Sequence, residues 1–363
     1  MSASGFSHSR RAKGIVKAAL AAISLLLPAV AGAATVSSPL STSQNNLSTS
    51  GAGDPAYAFL HEAFGTAADS DTNSTTSATT DGKSESLYLD ATPVAEQPNI
   101  HGFFTSPFKT AYVTPRGLVV QNAGLVWQPV VGLVFPIGDF GPVKNVAFVG
   151  GIWNSVDTAE HDAHVGSWDE MDVFVSLSGT VAEKLALTLT YSPWNSPQHA
   201  FKTEHNIDLK IAYDDSKMWG ASGISLNPYV DLFWAVAGDS TVILGRRGST
   251  GYFEPGIVPT YTLKTTPDYP LTFTFPMYVQ IGPASYWDAT HSFGHSDFGL
   301  FSAAANVSVP LAFVPARFGH WHGDLGVTYD YLINNALLHA GGLASGNTNH
   351  NVIIGSIGFG LNF

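Results

Sequence analysis

Leu271-Thr272-Phe273-Thr274-Phe275-Pro276-Met277-Tyr278-Val279-Gln280-Ile281 decides the fold class. Every odd-numbered position is apolar and the even-numbered ones are mostly small or polar, which is the period of a β-strand whose faces meet different surroundings. The run from Asn206 to Tyr213 repeats the pattern, with Asn206, Asp208 and Lys210 on one face and Ile207, Leu209, Ile211 and Tyr213 on the other. Leu185–Tyr191 and Leu325–Tyr331 carry it again, and no helical period competes with it in this part of the chain. The apolar faces bear no charge. A soluble sandwich usually carries many Lys and Glu on its polar faces, whereas these are rich in Thr, Ser, Gly and Asn. Such strands suit an all-β, antiparallel up-and-down barrel with its apolar face in lipid and its polar face lining the interior.

Composition agrees. The 363 residues are 45% hydrophobic and only 12% charged, and a soluble domain has about twice that charged share. There is no Cys, which excludes a disulfide scaffold and Cys-ligated metal centres. Arg10, Arg11, Lys13 and Lys17 precede the apolar run Ala18–Ala34, and Ala31-Gly32-Ala33 offers a cleavage site, so residues 1–33 read as a secretory signal. Past it no stretch approaches 18 continuous apolar residues, so helical spans are not expected. Removing those four basic residues from 16 Lys+Arg leaves 12 against 28 Asp+Glu, a net charge of −16. That balance disfavours nucleic acid as a partner.

Residues 34–100 read as a Ser/Thr-rich, low-complexity arm without apolar periodicity. Within it, Asp54 and Pro55 open a short amphipathic helix over 54–65, with Ala56, Phe59, Leu60, Ala63 and Phe64 on one face. Residues 101–363 read as the barrel. Its strands are expected near 117–121, 125–137, 145–155, 168–180, 185–191, 203–213, 226–236, 253–265, 271–281, 298–312, 322–334 and 351–363. That makes about twelve strands; the long connection Asp214–Ser225 leaves ten or fourteen as alternatives. Seven of the eight Trp (Trp127, Trp153, Trp168, Trp194, Trp219, Trp287 and Trp321) fall near strand ends, as expected of interfacial girdles, and Trp234 is the exception.

The chain ends Ile357-Gly358-Phe359-Gly360-Leu361-Asn362-Phe363. With the leader and the alternating strands, this terminus resembles Gram-negative outer-membrane β-barrels, whose last strand ends in Phe and is read by the insertion machinery. The resemblance implies outer-membrane lipid and the barrel-assembly machinery as partners, Phe363 as the assembly signal, a periplasmic arm, and both termini in the periplasm. Trp194-Asn195-Ser196-Pro197 and Thr203–Asp214 look like segments of uncharacterised porin-like outer-membrane proteins. That likeness carries no substrate to this chain and favours a pore over an enzyme; with the strand pattern, the chain reads as a passive, weakly cation-selective channel for small polar solutes.

The expected lumen lining comprises Asp172, Thr188, Thr190, Asp208, Lys210, Asp231, Lys264, Thr272, Thr274 and Asp330. The four Asp would attract cations, with Lys210 and Lys264 facing them. Two alternatives are carried: ion pairs that fill a non-conducting structural or adhesive barrel, and a channel for hydrophobic compounds plugged by residues 54–65. His291-Ser292 and His295-Ser296 fall in an expected external loop, where Ser–His pairs this close are usually coincidence, and no phospholipase or lipid A deacylase motif surrounds them, so no enzyme is read. His291 with His295, His320 with His322, and His161 with His164 have metal-compatible spacings, but no metal or other cofactor is assigned. Arg246-Arg247 reads as an exposed loop pair.

Overall fold

The computed structural model describes residues 100–159, 167–182, 184–237, 249–264 and 269–363. The expected signal, nearly all of the arm with its helix at 54–65, His161, His164 and Arg246-Arg247 lie outside them.

A closed wall of twelve antiparallel passes makes the fold. β1 (His101–Thr105) and β2 (Phe108–Lys109) form the first pass. A separate hairpin of β3 (Tyr112–Val113) and β4 (Val119–Gln121) follows. β5 (Val126–Trp127) and β6 (Val130–Phe140) form the second pass. The third to sixth are β7 (Val143–Asp157), β8 (Trp168–Val181), β9 (Leu185–Asn195) and β10 (Glu204–Tyr213). The seventh combines β11 (Ile224–Ser225) with β12 (Tyr229–Ala237), and the eighth combines β13 (Thr250–Ile257) with β14 (Thr260–Leu263). β15 (Leu271–Thr274) and β16 (Met277–Ile281) form the ninth. β17 (Phe298–Pro310), β18 (His320–Leu332) and β19 (Asn351–Asn362) complete the set. β19 pairs with β1 in the register Phe103↔Asn362 and Phe104↔Leu361, which closes the barrel and leaves the wall no open edge.

Closure is reinforced at the seam. The Gly102 N–H donates to the Phe363 carbonyl at 2.7 Å, and the Phe363 N–H donates back at 2.9 Å. The Phe363 ring lies where a side chain on Gly102 would sit. Prolines interrupt adjacent passes in pairs. Pro107 lies beside Pro129, and Pro259 beside Pro276. Their carbonyls carry the ladder across the breaks, from Gln128 N–H to Pro107 at 3.0 Å and from Phe275 N–H to Pro259 at 2.8 Å.

The first wall strand is not 117–121 as expected. The wall begins at His101, and Val119–Gln121 folds inside the barrel. Leu118 and Val119 are both buried, so neither face of that segment is exposed, as the outer face of a wall strand is. Asp214–Ser225 remains a turn on the terminal side. It holds the 3₁₀ helix η1 (Ser216–Ser222), anchored by Asp215, which accepts from Trp219 Nε1 at 2.8 Å and from the Leu226 and Asn227 N–H groups at 2.9 Å.

Alternation sorts the wall into two faces. Leu189 and Leu232 flank Leu209 in register and are 37% and 44% exposed, while the neighbouring Thr190 and Asp208 are 1% exposed. Three of the Trp expected at girdles turn inward instead: Trp153, Trp194 and Trp287 are buried. Trp194 is in phase with Thr188, Thr190 and Ser192, and Trp153 with Ser155, so strand parity overrides position near a strand end.

Candidate functional site

The barrel interior is the one environment the fold builds from polar side chains on many strands. Its inward positions carry Glu170 and Asp172 from β8, Glu204 and Asp208 from β10, Asp231 from β12, Glu254 from β13 and Asp330 from β18. The basic groups facing them among the described residues are Lys109, Lys210 and Arg116. The lumen is therefore strongly acidic.

On one side the acids form a contiguous patch. Asp208 and Lys210 follow one another on β10, Lys210 is registered with Asp231, and Asp231 with Glu254. The Lys210 ammonium lies over the Tyr229 ring at 4.1 Å, and the Tyr229 hydroxyl donates to Glu254 at 2.9 Å. Gln280 Nε2 donates to Glu254 at 3.1 Å, which ties β16 to the same patch. Farther round the wall, Tyr278 is registered with Ser302 and Ser302 with Asp330.

Asp172 stands apart. It accepts from the Asn195 N–H at 3.0 Å beside Trp153 and Trp194, two registered neighbours on the adjoining strands. Thr188 and Thr190 line the same wall, and Thr190 shares a 2.9 Å hydrogen bond with Ser176. Thr272 and Thr274 are buried on the inner face of β15, where Thr274 accepts from Asn306 at 3.4 Å. Lys264 follows the end of β14 and is exposed, outside the lumen group.

Across the end of the barrel opposite the termini lies the hairpin. Thr114-Pro115-Arg116-Gly117 forms its tip, with the Gly117 N–H donating to the Thr114 carbonyl at 2.8 Å. Pro in the second place of such a turn and Gly in the fourth, here at φ +86, are the residues this geometry favours. Leu118 N–H donates to Thr114 Oγ1 at 3.1 Å and stiffens it. Both ends of the hairpin are tied to the wall. In the stem, the Tyr112 hydroxyl donates to Glu170 at 2.6 Å; burial first, then the Glu170 carboxylate, holds that phenol well above its ordinary pKa, so it serves as a donor. At the tip, Gln280 Nε2 and the Tyr252 hydroxyl both donate to the Pro115 carbonyl.

Arg116 is 1% exposed. Its Nη1 donates to Glu204 Oε1 at 2.7 Å, and its guanidinium carbon lies 4.2 Å from the centre of the Trp194 ring. Burial disfavours the charge, but Glu204 outweighs it, and the Arg116 pKa stands above its ordinary value. Beyond Trp194 an aromatic chain continues to Phe233 at 5.7 Å, from Phe233 to Tyr252 at 4.9 Å, and from Tyr252 to Tyr286 at 5.2 Å. Tyr286 and Trp287 belong to the single turn α1 (Ala284–Trp287), and Leu337 to α2 (Asn335–Ser345); all three are fully buried. α2 holds the hairpin from above through Ser345 Oγ, which donates to the Val119 carbonyl at 2.8 Å. Hairpin, turn and helix together fill this mouth.

Solved structures superpose on the chain with TM-scores below 0.5. An outer-membrane channel from Pseudomonas putida F1 superposes with a TM-score of 0.43 at 12% identity, covering 73% of this chain and 95% of that one. The NanC porin gives 0.38 at 9% identity, covering 72% and 98%. The CymD monoaromatic hydrocarbon channel gives 0.25 at 11% identity, covering 74% and 89%. No family model and no curated protein matches the chain. The lumen's chemistry is accordingly read from its own residues.

Sequence reasoning missed Arg116, Glu170, Glu204, Glu254 and Gln280. Glu204 and Glu254 carried a signal: Glu204 is in phase with Asn206 and Asp208, and Glu254 with Tyr252, although Pro255 interrupts the alternation. Arg116 carried none, because its partner lies 88 positions away. The rings of the loop His pair His291 and His295 lie 4.9 Å apart and tilted by 32°, and His322 turns inward to pair with Asp324 at 2.9 Å. Among the described residues no three His, Asp or Glu side chains gather in a metal-binding arrangement.

Proposed function

We propose that this chain is an outer-membrane channel through which small polar solutes diffuse passively, with a preference for cations, and that its filled mouth acts as a gate. The acidic lumen carries the reading. Among the described residues, inward carboxylates outnumber the basic groups that face them, and in a low-dielectric shell such an excess draws cations and repels anions. A wall built only to be rigid would favour balanced ion pairs or apolar filling, because buried unbalanced charge is costly. In this reading the termini and short turns face the periplasm, and the mouth closed by the hairpin faces outward.

The test is conductance of the refolded chain in a planar bilayer under a salt gradient. Discrete steps with a cation-directed reversal potential are expected, and the preference should weaken at high ionic strength as the carboxylates are screened. A folded barrel without current under any voltage would favour the structural alternative.

A further inference from the structure

We infer that the corner formed by Glu204 and Trp194 is a binding site for a guanidinium or alkylammonium solute, and that Arg116 occupies it as a tethered stand-in for that solute. The inference rests on the channel reading and names a chemical class for its permeant.

The corner has the parts such a site needs. The Glu204 carboxylate, 1% exposed, accepts from the cation at 2.7 Å, and the Trp194 indole, 2% exposed, offers its face at 4.2 Å. The two are registered opposite one another on β10 and β9, so the wall itself fixes their spacing. The occupant, by contrast, belongs to a short loop segment. The turn closes through backbone groups and Thr114, and the hairpin is held at the Pro115 carbonyl by Gln280 and Tyr252, so the tip's geometry does not require an Arg side chain.

An apolar residue would fill an aromatic-lined mouth as well, without a buried charge. What an Arg adds is displaceability: a free solute with the same head group competes for the same carboxylate and the same ring. Because Arg116 sits on a short pinned segment, it competes intramolecularly, and a free competitor must reach a high concentration or bind more tightly. Displacement removes one of the contacts that keep the hairpin across the mouth, which couples arrival of the solute to opening.

Methylguanidinium is the probe and N-methylurea its neutral isostere, titrated calorimetrically into the full chain folded in detergent. With Arg116→Met, which keeps the bulk but not the charge, methylguanidinium should bind saturably and at least tenfold more tightly than in the unsubstituted chain. N-methylurea should not bind, and adding Glu204→Gln should abolish methylguanidinium binding. Arg116→Gln serves the same purpose if the Met variant does not fold. Equal heats from the two probes, or binding that survives Glu204→Gln, would overturn the inference. Bilayer recordings separate it from the channel reading: methylguanidinium should block the Arg116→Met current and N-methylurea should not. A variant that binds methylguanidinium but never conducts would refute the channel while leaving the site standing.

Discussion

Two sides of the same lumen are built on opposite principles. Along the first four passes an apolar cluster fills part of the interior: Phe103, Val130, Val149 and Phe174 are all at or below 1% exposure, and Tyr112 of the hairpin stem packs with them, while β8 also turns Glu170 and Asp172 inward. Two glycines make room, since the Phe103 ring lies over Gly132 and the Phe174 ring over Gly151. Across the barrel the sixth to eleventh passes present Asp208, Lys210, Asp231, Glu254 and Asp330. The hairpin spans the two, with an apolar stem on the buttress side and a charged tip at the acidic wall. One side anchors and the other recognises.

The comparison can be broken most forcefully from outside. Leu209→Arg places a charge on the lipid face one residue from Asp208, and it should destabilise the barrel by about 2–4 kcal/mol at mid-bilayer depth. Denaturant unfolding in lipid vesicles measures this, and a near-neutral result would mean the faces of β10 are reversed. On the buttress side, Gly151→Val must displace the Phe174 ring and crowd the Val131 carbonyl, an overpacking expected to cost about 1–3 kcal/mol in the same assay. If instead the apolar side is loosely filled, the substitution will be silent.

Deleting Phe363 removes the two backbone hydrogen bonds with Gly102, each worth about 1 kcal/mol, and should slow assembly into membranes. Normal surface insertion of the truncated chain would remove Phe363 from its role. On the recognising side, Asp208→Asn should leave stability nearly unchanged and lower the cation-to-anion permeability ratio read from the reversal potential. The ratio should stay above one, because Asp231, Glu254 and Asp330 remain; an unchanged ratio would place Asp208 off the ion path.

The smallest effect concerns neither side but the turn at Asp215. Burial alone would raise its pKa, but the Asn227, Trp219 and Leu226 N–H donors outweigh burial and hold it below its ordinary value. Because the folded pKa is depressed, the stability Asp215 contributes is present above about pH 4 and is lost as pH falls through the folded value. Asp215→Asn should therefore lower stability at pH 7 and flatten the acid limb of the unfolding curve, and an identical acid limb would show that the cap is not linked to folding.

Much of the wall was legible because strand information is local. In Asn206–Tyr213 the alternation alone separates the outer face, with Leu209, from the lumen face, with Asp208 and Lys210, and the observed burial alternates with it as far as Asp208. The polar lining at Thr188, Thr190, Thr272 and Thr274 was readable for the same reason. Where proline broke the period, at Pro107 and Pro255, the reading faltered: the first pass was sought at 117–121, and Glu254 was passed over.

The sequence by itself determined that this is a β-barrel with an apolar outer face and a polar interior, because a period of two is set residue by residue and needs no partner to be recognised. Only the tertiary structure decided that residues 101–109 close against 351–362, that residues 112–121 turn inward, and that Arg116 meets Glu204 and Trp194. Those contacts join positions far apart in the chain, and their pairing is chosen by the closure of the wall and the volume left inside it, which no local pattern encodes.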